Sequence, residues 1–249
     1  MIAPDAFRLN AYRVLRIPAS ASASDIQKAA ANMRRASAHG TARTSDFDIP
    51  QLGDVPRSDA DISAAVARLA NPVQRITDRL FWFCQLPTPS GAQQVSSAMD
   101  PTGHDCVLRA LFGAMEGGLD EAALAAWVDA LRAWRALACD DDYWFLTLIY
   151  EDSGDFEAPA TADEVEALRA DAVRLAACPL ILAARAAYAA GEKDTVRRVL
   201  AALSSLTNTG PWASVAIEEL TNWESSECEV AARGNVAGFT RPRPAGRII

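Results

Sequence analysis

Asn10-Ala11-Tyr12-Arg13-Val14-Leu15-Arg16-Ile17 leads through Ala21-Ser22 into Asp25-Ile26-Gln27-Lys28-Ala29. After a polar gap the chain resumes as Ile62-Ser63-Ala64-Ala65, Leu69, Asn71-Pro72 and Arg75. Each piece has the apolar period of a short helix, and the junctions carry turn or capping residues. The first helix is predicted over about residues 6–16. Phe7, Ala11, Val14 and Leu15 lie on one side, Tyr12 at the border, and Arg8, Arg13 and Arg16 toward water. Pro18 stops it. Ser22 then suits an N-cap, and Asp25 complements the dipole of a second helix. That helix presents Ile26, Ala29, Ala30 and Met33 inward and Lys28, Arg34 and Arg35 outward, and it ends at Gly40. Ile62, Ala65 and Leu69 mark a third helix. Asn71 caps a fourth, with Pro72 at a first position that tolerates proline. Phe81-Trp82-Phe83 closes it. Three consecutive large rings cannot share one helix face, so they are expected to pack both into this module and against the next domain. An exposed binding patch is the alternative.

In order and spacing these residues resemble a J domain, the helical module of DnaJ-type co-chaperones. The family's Tyr-x-x-Leu-Gly-Val is matched by Tyr12, Leu15 and Ile17, with Arg16 replacing the glycine. Its following Ala-Ser and Glu-Ile-Lys-Lys-Ala are matched by Ala21-Ser22 and by Asp25-Ile26-Gln27-Lys28-Ala29. The third-helix pattern falls on Ile62, Ala65, Leu69, Asn71, Pro72 and Arg75, with Val66 in place of a tyrosine. The departure is at the tip of the second helix, where Ala38-His39-Gly40 replaces the family's His-Pro-Asp. Sliding by one residue places His39 under the histidine, but Gly40-Thr41 supplies neither proline nor aspartate. In the family that tripeptide engages a DnaK-type ATPase and promotes ATP hydrolysis. The resemblance therefore implies a J-like shape with little or no such stimulation.

Residues 41–57, with Pro50, Gly53, Pro56 and acids at Asp46, Asp48 and Asp54, read as an exposed loop tethered by Ile49 and Leu52. Pro87, Pro89, Ser90 and Gly91 make the clearest linker, so the expected organisation is a J-like module over 1–86 and a linker over 87–103. A helical domain over 104–239 and a flexible tail over 240–249 follow. Val107, Leu108, Leu111, Phe112 and Met115 recur at helical spacing, as do Leu124, Trp127, Leu131, Trp134 and Leu137 behind the cap Asp120. Asp140-Asp141-Asp142 opens a short helix through Tyr150 that is expected to be buried on most sides. Thr161 and Glu164 form a capping box, and Pro179 is expected to kink or restart the helix that follows. Val196, Val199, Leu200, Leu203 and Leu206 make a further helix, and Gly210-Pro211 opens a last one with Trp212 and Trp223. The predicted class is all-α: a short J-like module followed by a multi-helix antiparallel bundle.

The 249 residues carry a net charge of −8, unevenly spread. Seven cations against two acids give +5 over residues 1–45, leaving −13 for the remainder. An acidic body argues against nucleic-acid binding, whereas the basic end suits an acidic protein surface. The five cysteines are scattered without a CxxC pair, and no secretory signal is read at the start. No run approaches the about 20 apolar residues of a membrane span, so a cytoplasmic location with reduced thiols is expected. His104-Asp105-Cys106 is the one compact trio of catalytic types, but adjacent helical residues are expected to diverge. Glu151, Asp152, Asp155 and Glu157 read as an acidic loop without calcium-binding spacing. Neither enzyme, cofactor nor metal is expected. The function expected is a non-catalytic adaptor binding another protein through Lys28, Arg34, Arg35 and His39. Its alternatives are a working co-chaperone for a DnaK-type ATPase and an enzyme with its site in the C-terminal helices.

Overall fold

Short polar side chains determine where the helices begin. In the computed structural model, which describes residues 5–39, 49, 52–55, 57–85 and 101–206, the hydroxyls of Ser22, Ser58 and Thr161 accept from the backbone amides of Asp25, Asp61 and Glu164. Each of those carboxylates accepts in return from the cap amide. The elements are α1 (Asp5–Arg8), α2 (Ala11–Leu15), α3 (Ala23–Ala38), α4 (Asp59–Ala70), α5 (Pro72–Leu80) and α6 (Pro101–Glu116). They continue as α7 (Glu121–Ala138), α8 (Asp141–Ser153), α9 (Ala162–Ala189) and α10 (Lys193–Ser204). The protein is all-α, with no strand among the described residues. α6 is described from Pro101 on, ahead of the start expected at His104. Most of the expected loop over 41–57 and of the linker over 87–103, and all of the expected last helix and tail, lie outside the described residues.

The single first helix expected over residues 6–16 is two helices. Asn10 interrupts it: its side-chain oxygen accepts from the amides of Tyr12 and Arg13, and its Nδ2 donates to the Asp78 carbonyl at 2.7 Å. Capping of this kind competes with continuation of the helix. Arg13, expected in water, is buried, and its guanidinium donates to the carbonyls of Arg8, Ile49 and Gly53 at 3.0, 3.3 and 2.6 Å. These bonds tie the carbonyls of Ile49 and Gly53 to α2. The neighbouring segment is correspondingly less exposed than expected. Leu52 is buried, and so is Arg57, which donates to the Val14 carbonyl.

Leu15, Ile26, Ile62 and Leu69 meet in one interior with Tyr12, Ala30, Met33 and Trp82, where α2 and α3 pack on α4. A larger core gathers α6, α7, α9 and α10, and it also takes Phe7, Leu52, Ile76, Leu80, Phe81 and Phe83. Phe7 therefore does not share the face of Ala11 and Leu15. It packs on Phe81, whose ring stacks on Trp134 at 5.4 Å between centroids. The aromatic triplet divides between the two interiors, with Trp82 in one and Phe81 and Phe83 in the other.

α8 is less enclosed than its apolar sequence suggests. It presses Trp144, Thr147 and Glu151 inward and leaves Phe145 62% and Ile149 45% exposed. α9 runs through Pro179 without restarting, although proline removes one backbone donor. Buried Ala176, Ala177, Leu180 and Ile181 on either side hold that stretch in the core, where packing outweighs the lost bond. By length and composition alone α9 could cross a membrane, contrary to the sequence expectation, yet more than half of its most apolar window is buried inside the protein.

Glu151 is not part of an acidic loop. It lies in the last turn of α8, fully buried, and takes Arg75 Nε at 3.1 and 3.2 Å, together with Arg75 Nη2 and, at 3.3 Å, Arg79. Arg75 also donates to the carbonyls of Leu69 and Ala158, and its guanidinium stacks 3.8 Å above the Phe156 ring. Nearby, Asp78 holds Arg68 through two bonds of 2.6 and 3.0 Å, and burial still raises its pKa. Burial likewise pushes the Tyr12 hydroxyl up to about 12.

Two outcomes follow from these packing arrangements. Glu151→Ala leaves two buried guanidinium groups without their carboxylate. It is expected to cost about 3–5 kcal/mol of unfolding free energy, measured by urea denaturation. Hydrogen bonds from Ser22 and Thr161 hold the carboxyls of Asp25 and Glu164 below their ordinary values. A depressed folded-state pKa contributes stability present above the unfolded pKa and lost as pH falls through the folded one. An Asp25→Asn, Glu164→Gln variant should therefore trail the parent in urea midpoint at neutral pH. The gap should begin to close below about pH 4 and vanish only once the pH has fallen past the depressed folded-state values.

Candidate functional site

Lys28, Arg34, Arg35 and His39 all lie on the exposed side of α3 or at its end, His39 occupying the C-cap position. Their charges are not free-standing. Lys28 faces Asp25 at 3.8 Å, Arg34 reaches across to Asp59 at 3.1 Å and to the Ser63 hydroxyl, and Arg35 donates to Asn32 at 2.7 Å. Exposed ion pairs of this kind contribute at most about 1 kcal/mol, so an incoming carboxylate can displace Asp59. The four residues are spread over the exposed surface of one helix and form no enclosed site.

A groove of about 450 Å³ opens on another side of the same helices, lined among others by Ala23, Ile26, Val66, Leu69, Arg75 and Phe156. The turn after α8 builds one wall, and the Gly154 carbonyl accepts from the Ala23 amide at 2.9 Å. A Cβ at Gly154 would sit 2.2 Å from the Phe156 ring, so glycine is required there by close approach. Asp155 follows in the left-handed region at φ 55, which aspartate tolerates better than most residues.

The compact chemical cluster of the described chain is elsewhere, where the turn after α5 meets the start of α6. His104 and Asp105, expected to diverge, are both buried and meet with Nδ1 and Oδ1 3.3 Å apart. Cys106 is exposed and takes no part. In its place Cys84 brings its Sγ to 3.5 Å from His104 Nδ1. Asp105 accepts from the backbone amides of Cys84 and Gln85 at 2.9 and 3.1 Å, which fixes that turn against α6. His104 Nε2 lies 2.8 Å from the Leu80 carbonyl, and its ring stacks on Tyr143 with centroids 5.4 Å apart. A carbonyl can only accept, so Nε2 carries a proton and Nδ1 faces the sulfur and the carboxylate.

Burial works to lower the His104 pKa. It is outweighed by the charge on Cys84 and by hydrogen bonds to Asp105, Cys84 and Leu80, so the imidazole is raised to about 10. Burial, reinforced by the charge on Cys84, also pushes the Tyr143 hydroxyl well above its ordinary value. The cluster concentrates a thiol, an imidazole and a carboxylate in a poorly solvated corner. No spacing rule could have found it, because Cys84 and His104 are brought together across residues 86–100 by the packing of α5 and α6 on common neighbours.

Comparison of the chain with protein-family models, with curated proteins and with solved structures finds no match.

Removing the Asp105 carboxylate leaves the amides of Cys84 and Gln85 without their acceptor. Asp105→Ala is expected to destabilise the protein by about 1–3 kcal/mol in urea unfolding, with Cys106→Ser as the neutral comparison.

Proposed function

We propose that the chain is a cytoplasmic, non-catalytic interaction protein whose first five helices act as a degenerate J-like docking module. The observation that supports this reading is the joint interior of Tyr12, Leu15, Ile26, Ile62 and Leu69. These are positions at which the sequence resembles the family pattern, and all five are buried together. The same packing leaves Lys28, Arg34, Arg35 and His39 outward as the surface for an acidic protein partner. Long-range attraction from these cations would speed encounter more than it would tighten the final complex. The tip of α3 carries His39 without the family's proline and aspartate, so the module docks without stimulating an ATPase. Reduced thiols at Cys84, Cys106, Cys139 and Cys178 fit that compartment.

The test uses the full chain. Partners crosslinked to it in native lysate are identified by mass spectrometry, purified and measured against the parent and against a Lys28→Glu, Arg34→Glu, Arg35→Glu variant. The expected outcome is a slower on-rate for the variant, with the difference shrinking as salt rises. Equal on-rates would reassign the docking surface. In single-turnover assays with a DnaK-type chaperone no acceleration is expected. Acceleration that His39→Gln abolishes would make the chain a working co-chaperone instead.

A further inference from the structure

We infer that Cys84, His104 and Asp105 form a binding site for one Zn²⁺ ion, clasping the end of the N-terminal helices to the start of α6. The three ligand atoms, one from each residue, lie within 4.8 Å of one another. Two of the three separations suit a single tetrahedral centre. Zinc bonds of about 2.3 Å to sulfur and about 2.0–2.1 Å to nitrogen or oxygen imply ligand–ligand edges of about 3.6 Å for S···N and about 3.4 Å for N···O. The observed Sγ···Nδ1 and Nδ1···Oδ1 distances are 3.5 and 3.3 Å.

The surroundings are those of a metal site. Leu80 accepts from His104 Nε2, which fixes the tautomer that leaves Nδ1 as the ligand atom. The Asp105 carboxylate is oriented by two backbone amides, and the imidazole is held flat by Tyr143. Charge balance points the same way. With the thiol deprotonated on binding, Sγ and the Asp105 carboxylate together carry two negative charges, which a divalent cation neutralises completely. Arg79, the neighbouring cation, shares the Glu151 carboxylate with Arg75 and donates to the Ala19 carbonyl. The ligand set of one sulfur, one nitrogen and one oxygen favours a borderline-soft ion over magnesium or calcium. Three protein ligands leave the fourth position to water, on the side where Cys84 is only half-buried. Binding releases any proton on Nδ1 and that of the thiol, so no redox step is involved.

The experiment takes the full-length chain, stripped with a chelator under reducing conditions. Zn²⁺ alone is then titrated in competition with a chromophoric chelator, with Co²⁺ substituted in parallel. Expected are one equivalent bound per chain and a Co²⁺ spectrum with tetrahedral d–d bands and a thiolate charge-transfer band. Cys84→Ser and His104→Gln should each weaken binding at least about 100-fold, more than loss of an outer-shell partner does, while Cys106→Ser binds as the parent. Substoichiometric zinc, a cobalt spectrum without the thiolate band, or undiminished binding by Cys84→Ser would overturn the site. Should either variant fail to fold by circular dichroism, the unmutated chain decides. Zinc should abolish alkylation of Cys84 and leave Cys106 and Cys139 reactive, and alkylation of Cys84 at an unchanged rate refutes the proposal.

Discussion

The guanidinium of Arg75 sits almost entirely out of water, and the rest of the structure accommodates it. A buried cation costs several kcal/mol unless a carboxylate and further acceptors surround it. Here the carboxylate comes from Glu151, 76 residues away, and the remaining donors find the Leu69 and Ala158 carbonyls. One side chain therefore specifies where α5 lies against α8 and how the chain turns between α8 and α9. Glu151 in its turn accepts from the Ala160 amide at 3.0 Å, just before the Thr161 cap that starts α9. Displacing any of these elements would strand a charge, which restricts the first helices to one placement against those that follow.

That placement decides what the surface offers. Arg13 and Arg57 are spent on backbone carbonyls and Arg75 and Arg79 on Glu151, so the interior removes several cations that a charge count places outside. What remains on α3 is a short row of exposed side chains, partly matched by Asp25 and Asp59. Among the described residues, most of the exposed cations of the N-terminal region therefore lie on this helix, away from Ile26 and Met33. The same packing carries Trp82 into one core and Phe81 and Phe83 into the other, and so delivers Cys84 to the first turns of α6.

Much of the architecture could be read before any coordinates. The helix starts at Ser22, Asn71, Asp120 and Thr161 follow from side chains that cap their own neighbours, and the inward faces of α3, α4, α6 and α7 follow from a period of about 3.6 residues. Errors arose where a residue's fate depends on something distant. Arg13 and Glu151 looked solvated because a charge far from its partner in sequence gives no sign of that partner. Asn10 looked like an ordinary helical residue because its second hydrogen bond goes to Asp78. Pro179 looked like a place where the helix could restart because propensity counts the missing amide and not the alanines and leucine packed around it.

The candidate sites divide along the same line. Lys28, Arg34, Arg35 and His39 were legible as outward residues, since the helical pitch alone separates them from Ile26, Ala30 and Met33. Cys84 could not be paired with His104 and Asp105, because no helical period links them. The sequence by itself determined the helical class, most of the caps and the faces that pack inward, all of which rest on interactions spanning a few residues. Only the tertiary structure decided which charges are buried and which thiol meets the imidazole. Those outcomes depend on contacts between segments whose separation in the chain carries no information about their separation in space.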